Sequence, residues 1–269
     1  AATLNFSVIP STMRPTLSRA VFPCCAQLRS ERVSTPPAPA VARRRELLDI
    51  AADLWDEGGP EALTLAAIGE RADLTAPSLY TYFPSKSAIV AALQREALEV
   101  LAQVAREAVG SWQAPADAEP QAVALARLVA FSDLTMSGPA KYPREFGLQQ
   151  RLMANPGLQD LDDAAGVLPA ALGALTVPVQ LIDQAVRAGA LGDAGAGASA
   201  DSGDSSMVRA VRWLAALNGV LATDSLPVGV PADGHTMGRL LSGDLLRGWG
   251  ANPERLTEAV ALADDWKIR

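Results

Sequence analysis

Histidine occurs once in the 269 residues, as His235, and cysteine twice, as the neighbours Cys24 and Cys25. A single histidine allows a Ser/His/Asp or Cys/His arrangement in one place at most, and no nucleophile motif accompanies it. The two thiols lie in a Pro- and Ser-bearing stretch. They give neither a disulfide framework nor the spacing of metal ligands, so a reducing interior is expected, with no metal and no cofactor. The acids are scattered, and Asp160, Asp162 and Asp163 read as a solvated helix start, not a metal cluster. Arg, Asp, Gly or Pro interrupts every apolar stretch before the roughly 18 unbroken residues of a membrane span. The expectation is a cytoplasmic protein with no catalytic residues and no membrane partner.

What is present is ample apolar material, 49% of the chain, in a length that suggests roughly two domains. Charge is unevenly placed. The whole chain carries minus seven, but residues 1–45 hold seven arginines against Glu31 alone, leaving minus thirteen for the rest. A basic leading end on an acidic body is the footprint of a polyanion-binding end attached to something else.

Residues 1–40 carry six prolines among Ser, Thr and Arg with no apolar periodicity, and read as a disordered leader. The composition also fits a transit peptide, and an N-terminal arm or a leader translated from an upstream start are the plainer alternatives. From Arg43 the spacing becomes helical: Leu47, Ile50, Ala51, Leu54 and Trp55 share one face. Gly58-Gly59-Pro60 stops that helix. Thr64 is placed to cap a second helix that buries Leu65, Ile68 and Ala72, Thr75 a third with Pro77 in its first turn, and Ser85 a long fourth running to about Val109.

Two short helices joined by Asp73-Leu74 have the length and turn of a helix-turn-helix, whose second helix can enter a DNA major groove. In that helix Leu79 and Phe83 face inward. Thr75, Ala76, Ser78, Tyr80, Thr81 and Tyr82 are left outside, where hydroxyls suit phosphates and methyl groups suit thymine. Each of these residues alone would more simply be a packing aromatic, a cap or a solvated charge; it is their order and spacing together that point to DNA.

The run from Arg43 to Leu93 resembles the DNA-binding domain of TetR-family transcriptional regulators. The resemblance is carried by Leu47 to Trp55, the Gly58-Gly59 stop, Leu63-Thr64-Leu65 into Ile68 and Ala72, and above all the stretch from Thr75 through Pro77, Leu79, Tyr80, Tyr82 and Phe83 to Lys86. It implies Thr64 against a phosphate, Thr75, Ala76, Pro77 and Ser78 at the base edges, and Tyr80, Tyr82 and Lys86 on phosphates. Arg43, Arg44 and Arg45 resemble the family's basic arm, though a solvated cluster would read the same. Two positions depart from the family pattern. The turn glycine is Asp73, which can still adopt a left-handed conformation. An often basic position is Ala76, which leaves guanine without an obvious donor.

The remaining half is Ala- and Leu-rich, and helices are expected near 121–136, 144–154, 159–189, 207–222, 236–249 and 254–266, with a Gly/Ser/Asp-rich flexible loop at 192–206. The predicted fold is all-α: leader 1–40, helix-turn-helix domain 41–95, and a larger helical bundle 96–269. By the resemblance, the bundle serves dimerisation and effector binding. Met237, Leu240, Leu241, Leu245 and Trp249 are expected at a homodimer face, along with the helix after them. Trp112, Phe131, Phe146 and Trp213 are expected around an effector, Tyr142 is a further bulky residue of this half, and His235 reads as a loop or helix-cap residue instead of a ligand contact. The function so read is a repressor, released from a two-half-site operator by a small, mostly apolar effector. An effector-independent DNA-binding protein and a helical enzyme or small-molecule binder are the alternatives.

Overall fold

The first of the described elements is helix α1, Ala38–Ala62. The structure, a computed structural model, describes residues 38–154, 161–192, 205–224 and 233–267. The expected leader, apart from residues 38–40, and most of the expected flexible loop lie outside them. Along α1, Leu47, Ala51, Leu54 and Trp55 are buried as the spacing predicts, Leu48 is buried with them, and Ile50 is half-buried against the same core; each large apolar side chain of the set contributes about 2 kcal/mol by leaving water. At Gly58-Gly59 the helix is broken. Gly59 has φ 65 and ψ −154, a combination open to glycine because it has no Cβ, so the chain turns there as its sequence suggests.

The next two helices are short. Helix α2, Leu65–Ala72, starts with the Thr64 hydroxyl accepting from Ala67 N at 3.1 Å. Asp73 follows in the left-handed region at φ 50, ending α2 in the way that a glycine would. Helix α3, Ala76–Tyr80, has Pro77 in its first turn. Thr75 stands at its N-cap but makes no side-chain cap bond. The Thr75 hydroxyl instead pairs with that of Ser78 at 3.0 Å, so Thr75 is a positional cap only.

Helix α4, Lys86–Ser111, is capped by the Ser85 hydroxyl, which accepts from Ala88 N at 3.0 Å. It is the spine of the molecule. Ile89, Ala92, Leu93 and Ala97 join the core of α1 to α3, whereas Ala105 joins the core of the second half. The expected domain boundary at 95–96 therefore falls inside a continuous helix.

Six further helices follow: α5 (Pro120–Lys141), α6 (Pro143–Ala154), α7 (Leu161–Arg187), α8 (Ser206–Asp224), α9 (Gly234–Gly248) and α10 (Pro253–Lys267). Each coincides within a few residues with an expected helix, and no strand occurs among the described residues. Within α7, Ala165–Arg187 is long and apolar enough, by length and composition, to cross a membrane. Its glycines and prolines break the apolar run in the sequence without ending the helix. Here it contributes Val177, Leu181, Ile182 and Ala185 to a core shared with α5, α8, α9 and α10. The polar atoms of that core pair with one another: Trp213 Nε1 donates to Ser242 Oγ at 2.8 Å, Ser242 to Ser132 at 3.0 Å, and Ser132 to Gly238 O at 3.3 Å, so no member of the chain is left desolvated and unpaired.

Candidate nucleic-acid interface and effector cavity

The helix-turn-helix is held from beneath by Leu63, Ile68, Leu79, Phe83 and Ile89, each at most 1% exposed. That floor leaves the outer side of α3 free. Thr75, Ala76 and Pro77 are exposed, Tyr80 is 52% exposed, and Ser78 is half-buried. The face so presented is small, hydroxylated and uncharged. Thr64 is exposed at the start of α2; its oxygen accepts the cap bond, which leaves its O–H to donate to an external acceptor. Tyr82 is half-buried and packs against the core, so only part of its ring faces outward.

The three arginines are not an arm ahead of the domain. All lie within α1, and each is tied to another element. Arg43 Nη2 donates to Ala72 O at 2.5 Å, at the carbonyl end of α2, where a cation complements the helix dipole. Arg44 stands over the Phe83 ring at 4.1 Å and donates to Tyr82 O at 2.5 Å. Burial, more than the nearby Arg95, lowers its pKa from the ordinary value. Arg45 bridges to Glu96 at 3.0 Å and to Asp49 at 3.1 Å. Lys86 is exposed, but its Nζ donates to Pro60 O at 2.9 Å, fastening α4 to the break in α1.

A second site lies in the bundle. A cavity, about 660 Å³ with the open solvent at its mouth counted, lies between α4, α5, α6, α7 and α8. Phe131, Tyr142 and Phe146 line it, as the sequence suggests for each. Trp213 does not: it is fully buried and locked by its bond to Ser242. Nor does Trp112, which stacks on Trp266 with centroids 5.8 Å apart and planes 5° from parallel. The wall residues that sequence reasoning misses are aliphatic or polar, among them Leu98, Leu101, Leu134, Lys141 and Gln149. On α5 the spacing of Phe131, Leu134, Thr135, Gly138 and Tyr142 traces one helical face, a signal available in the sequence but indistinguishable there from an ordinary core stripe.

Helix α6 connects the two sites. Phe146 lines the cavity, while Leu148, two residues on, is 2% exposed in the core of the helix-turn-helix domain. Arg144 Nε donates to both carboxylate oxygens of Asp56 in α1, at 2.9 and 2.8 Å. That hydrogen bonding, ahead of the opposing effect of burial, raises the Arg144 pKa from its ordinary value. Arg151 stands 5.6 Å from the Trp55 ring.

The expected dimer residues divide. Met237 and Leu240 on α9 are 37% and 57% exposed, and Leu241 and Leu245 are half-buried, but Trp249 is 7% exposed in the bundle core, with Arg209 5.7 Å from its ring. Helix α10 packs along α5, with Leu256, Ala259 and Ala263 buried, and its inner face is already covered within one chain. The uncovered apolar side chains beside α9 belong instead to α8, where Met207 and Val211 are 43% and 46% exposed.

Residues 47–93 match the family model of bacterial regulatory proteins, tetR family. The chain is similar to the HTH-type transcriptional repressor KstR of Mycobacterium tuberculosis, with 41% identity over 68 residues, covering 25% of this chain and 31% of that one. The chain thus spans about a third of the length of the curated relatives that it matches. Among solved structures, a protein of unknown function from Rhodococcus sp. RHA1 is similar over 81% of this chain and 98% of its own, with 18% identity and a TM-score of 0.58. A TetR-family transcriptional regulator from Agrobacterium tumefaciens is similar over 79% of this chain and 100% of its own, with 17% identity and a TM-score of 0.50. The latter two show the fold alone.

Proposed function

We propose, from the match of residues 47–93 to the family model of bacterial regulatory proteins, tetR family, that the protein is a cytoplasmic, homodimeric transcriptional repressor of that family whose operator binding ends when a small, mostly apolar effector occupies the cavity. The observation that carries this reading is the double role of α6, with Phe146 in the cavity wall and Leu148 in the core beneath the DNA-facing helices. An effector that displaces Phe146 moves an element on which the helix-turn-helix rests. By linkage, the operator must then weaken effector binding by the same factor. An effector-independent regulator needs no such cavity.

The DNA contacts proposed are Thr64 and Tyr80 on phosphates and Thr75, Ala76, Pro77 and Ser78 at base edges. Tyr82 and Lys86 belong at the margin, and Arg43, Arg44 and Arg45 act chiefly by holding the domain together. Two recognition helices about 34–36 Å apart would meet successive turns of one DNA face. The apolar side chains Met207, Val211, Met237 and Leu240 support α8 and α9 as the dimer face. The test is fluorescence anisotropy with promoter-derived duplexes. Binding that weakens with salt at a slope of several phosphates per half-site is expected, together with sedimentation as a dimer; absence of binding at low salt, or a monomer at micromolar concentration, overturns the reading.

A further inference from the structure

The effector cavity has a neighbour. A second cavity, about 810 Å³ with its mouth, is lined by Trp112, Asp133, Ser137, His235 and Trp266 among others, and it shares Leu134 and Lys141 with the first. Along α5 and its C-cap, Phe131, Gly138 and Tyr142 face the first cavity and Ala130, Asp133 and Ser137 the second, so Leu134 and Lys141 stand on the seam between an apolar compartment and one that holds more polar groups.

The charges around this seam are nearly all paired. Asp133, 5% exposed, is held by Arg239 at 2.7 Å and by His235 at 3.0 Å, and Arg239 also reaches Asp264 at 2.6 Å. Arg144 is engaged with Asp56, and Arg127 donates to Gln184 at 3.1 Å. Among the described residues, Lys141 is the one cationic wall residue with no carboxylate at ion-pair distance. It is exposed at the end of α5, where it can turn its ammonium over the cavity mouth while its methylenes stay on apolar surface. The adjoining Tyr142 can donate its hydroxyl to the same point. The interior beyond the seam is apolar, walled by Leu98, Leu101, Phe131, Leu134, Phe146 and Leu214.

Resting on the reading of this cavity as the effector site, we propose that the effector is an amphipathic anion with a single acidic head, its apolar body lying between α4, α5 and α6 and its carboxylate on Lys141. A neutral molecule of the same body would leave Lys141 unused; a multiply charged one would place charge against the apolar wall, at a cost no nearby cation offsets. An acid-bearing chain satisfies both ends at once.

The probes are decanoate and decan-1-ol, which share an apolar chain and differ in the head, each read by displacement of the neutral dye N-phenyl-1-naphthylamine from the full-length protein. Decanoate is expected to bind about three- to fivefold more tightly than decan-1-ol, the worth of one ion pair at an exposed lysine. Lys141→Met should remove that preference by weakening decanoate alone, and Lys141→Arg should keep it. Lys141 is exposed, so unchanged melting of both variants shows that the fold is intact. Equal binding of acid and alcohol, or a preference that survives in Lys141→Met, overturns the inference. If the dye binds but neither probe displaces it, the inference falls while the effector cavity stands. If the dye does not bind at all, both fall.

Discussion

Phe146 lies against Gly138 so closely that a Cβ on the glycine would stand 2.1 Å from two ring carbons. The contact joins α5 to α6 at the cavity wall. The Gly138 carbonyl, in addition, accepts from Tyr142 N at 2.7 Å where α5 ends. No side chain but hydrogen fits there unless the ring moves. Gly138→Ala is therefore expected to lower stability by about 1–3 kcal/mol, the usual range for overpacking, with the Phe146 ring driven into the cavity and dye binding weakened. In a Phe146→Ala background, the same substitution should cost far less. Thermal melts of the four proteins of this cycle check it, and an undiminished cost in the double variant would show that the strain lies elsewhere.

Arg144 and Asp56 make a second join between α6 and the helix-turn-helix domain. Their pair is largely solvent-facing, so its worth to stability is small, about 0–1 kcal/mol. Its proposed worth is in coupling. Arg144→Ala should shift the melting temperature little and leave operator affinity in the absence of effector nearly intact, but reduce the factor by which a cavity ligand weakens operator binding. Anisotropy titrations with and without decanoate measure that factor directly. An unchanged factor would mean that Leu148 and its packing transmit the effect alone.

Much of the molecule was legible in the sequence because local chemistry fixed it. Gly59 with its positive φ, Asp73 in the left-handed turn, and Thr64 and Ser85 as caps are each determined within a few residues. The helix-turn-helix floor of Leu79 and Phe83 likewise follows from a spacing of four. What was not legible depends on partners far along the chain. Nothing local tells that Arg44 folds over Phe83, that Ser242 and Ser132 are waiting for Trp213, or that Trp112 meets Trp266. In the bundle, aromatic size is a poor guide to the cavity because large rings fill volume best where they are fully surrounded. Beside Phe131, Tyr142 and Phe146, the rest of the cavity wall falls to aliphatic residues and to side chains near helix ends, such as Lys141. The inner stripe of α10, with Leu256, Ala259 and Ala263, packs on α5, and because a core stripe and an interface stripe have the same period, the sequence alone does not separate that inner face from the rest of the helix.

Tyr80 and Ser78 should separate affinity from sequence preference. Tyr80 is the most exposed aromatic of the recognition helix, and a phosphate contact would make Tyr80→Phe weaken binding to all duplexes by a similar factor, with a small change of salt slope. Ser78, tied to Thr75 through their hydroxyls, faces base edges in the proposed orientation, so Ser78→Ala should change the ranking of operator variants more than the mean affinity. A panel of single-base operator variants reads both effects. Should Tyr80→Phe reorder the panel while Ser78→Ala scales it uniformly, the two roles would have to be exchanged.

Acid should weaken the N-cap of α9. The Asp233 carboxylate accepts from Thr236 N at 2.7 Å at the N-cap of α9. That backbone bond is the largest cause of a pKa held below the ordinary 3.8, with a bond from the Thr236 side chain and the charge of His235 acting in the same direction. A depressed carboxylate pKa stabilises the folded form at every pH above the ordinary value, and the contribution is lost as pH falls through the lower, folded value. The sensitive window therefore opens near 3.8 and extends downward. Asn caps a helix about as well as Asp but does not titrate there, so Asp233→Asn isolates the effect. The melting temperature of the wild type should exceed that of Asp233→Asn by a fixed small amount at neutral pH, and the difference should shrink as pH is taken from about 5 to about 2. All other carboxylates titrate alike in both proteins and cancel from the difference. A difference that stays constant across that window would show that the Asp233 bond to Thr236 is not formed in solution, and with it that α9 begins later than Gly234.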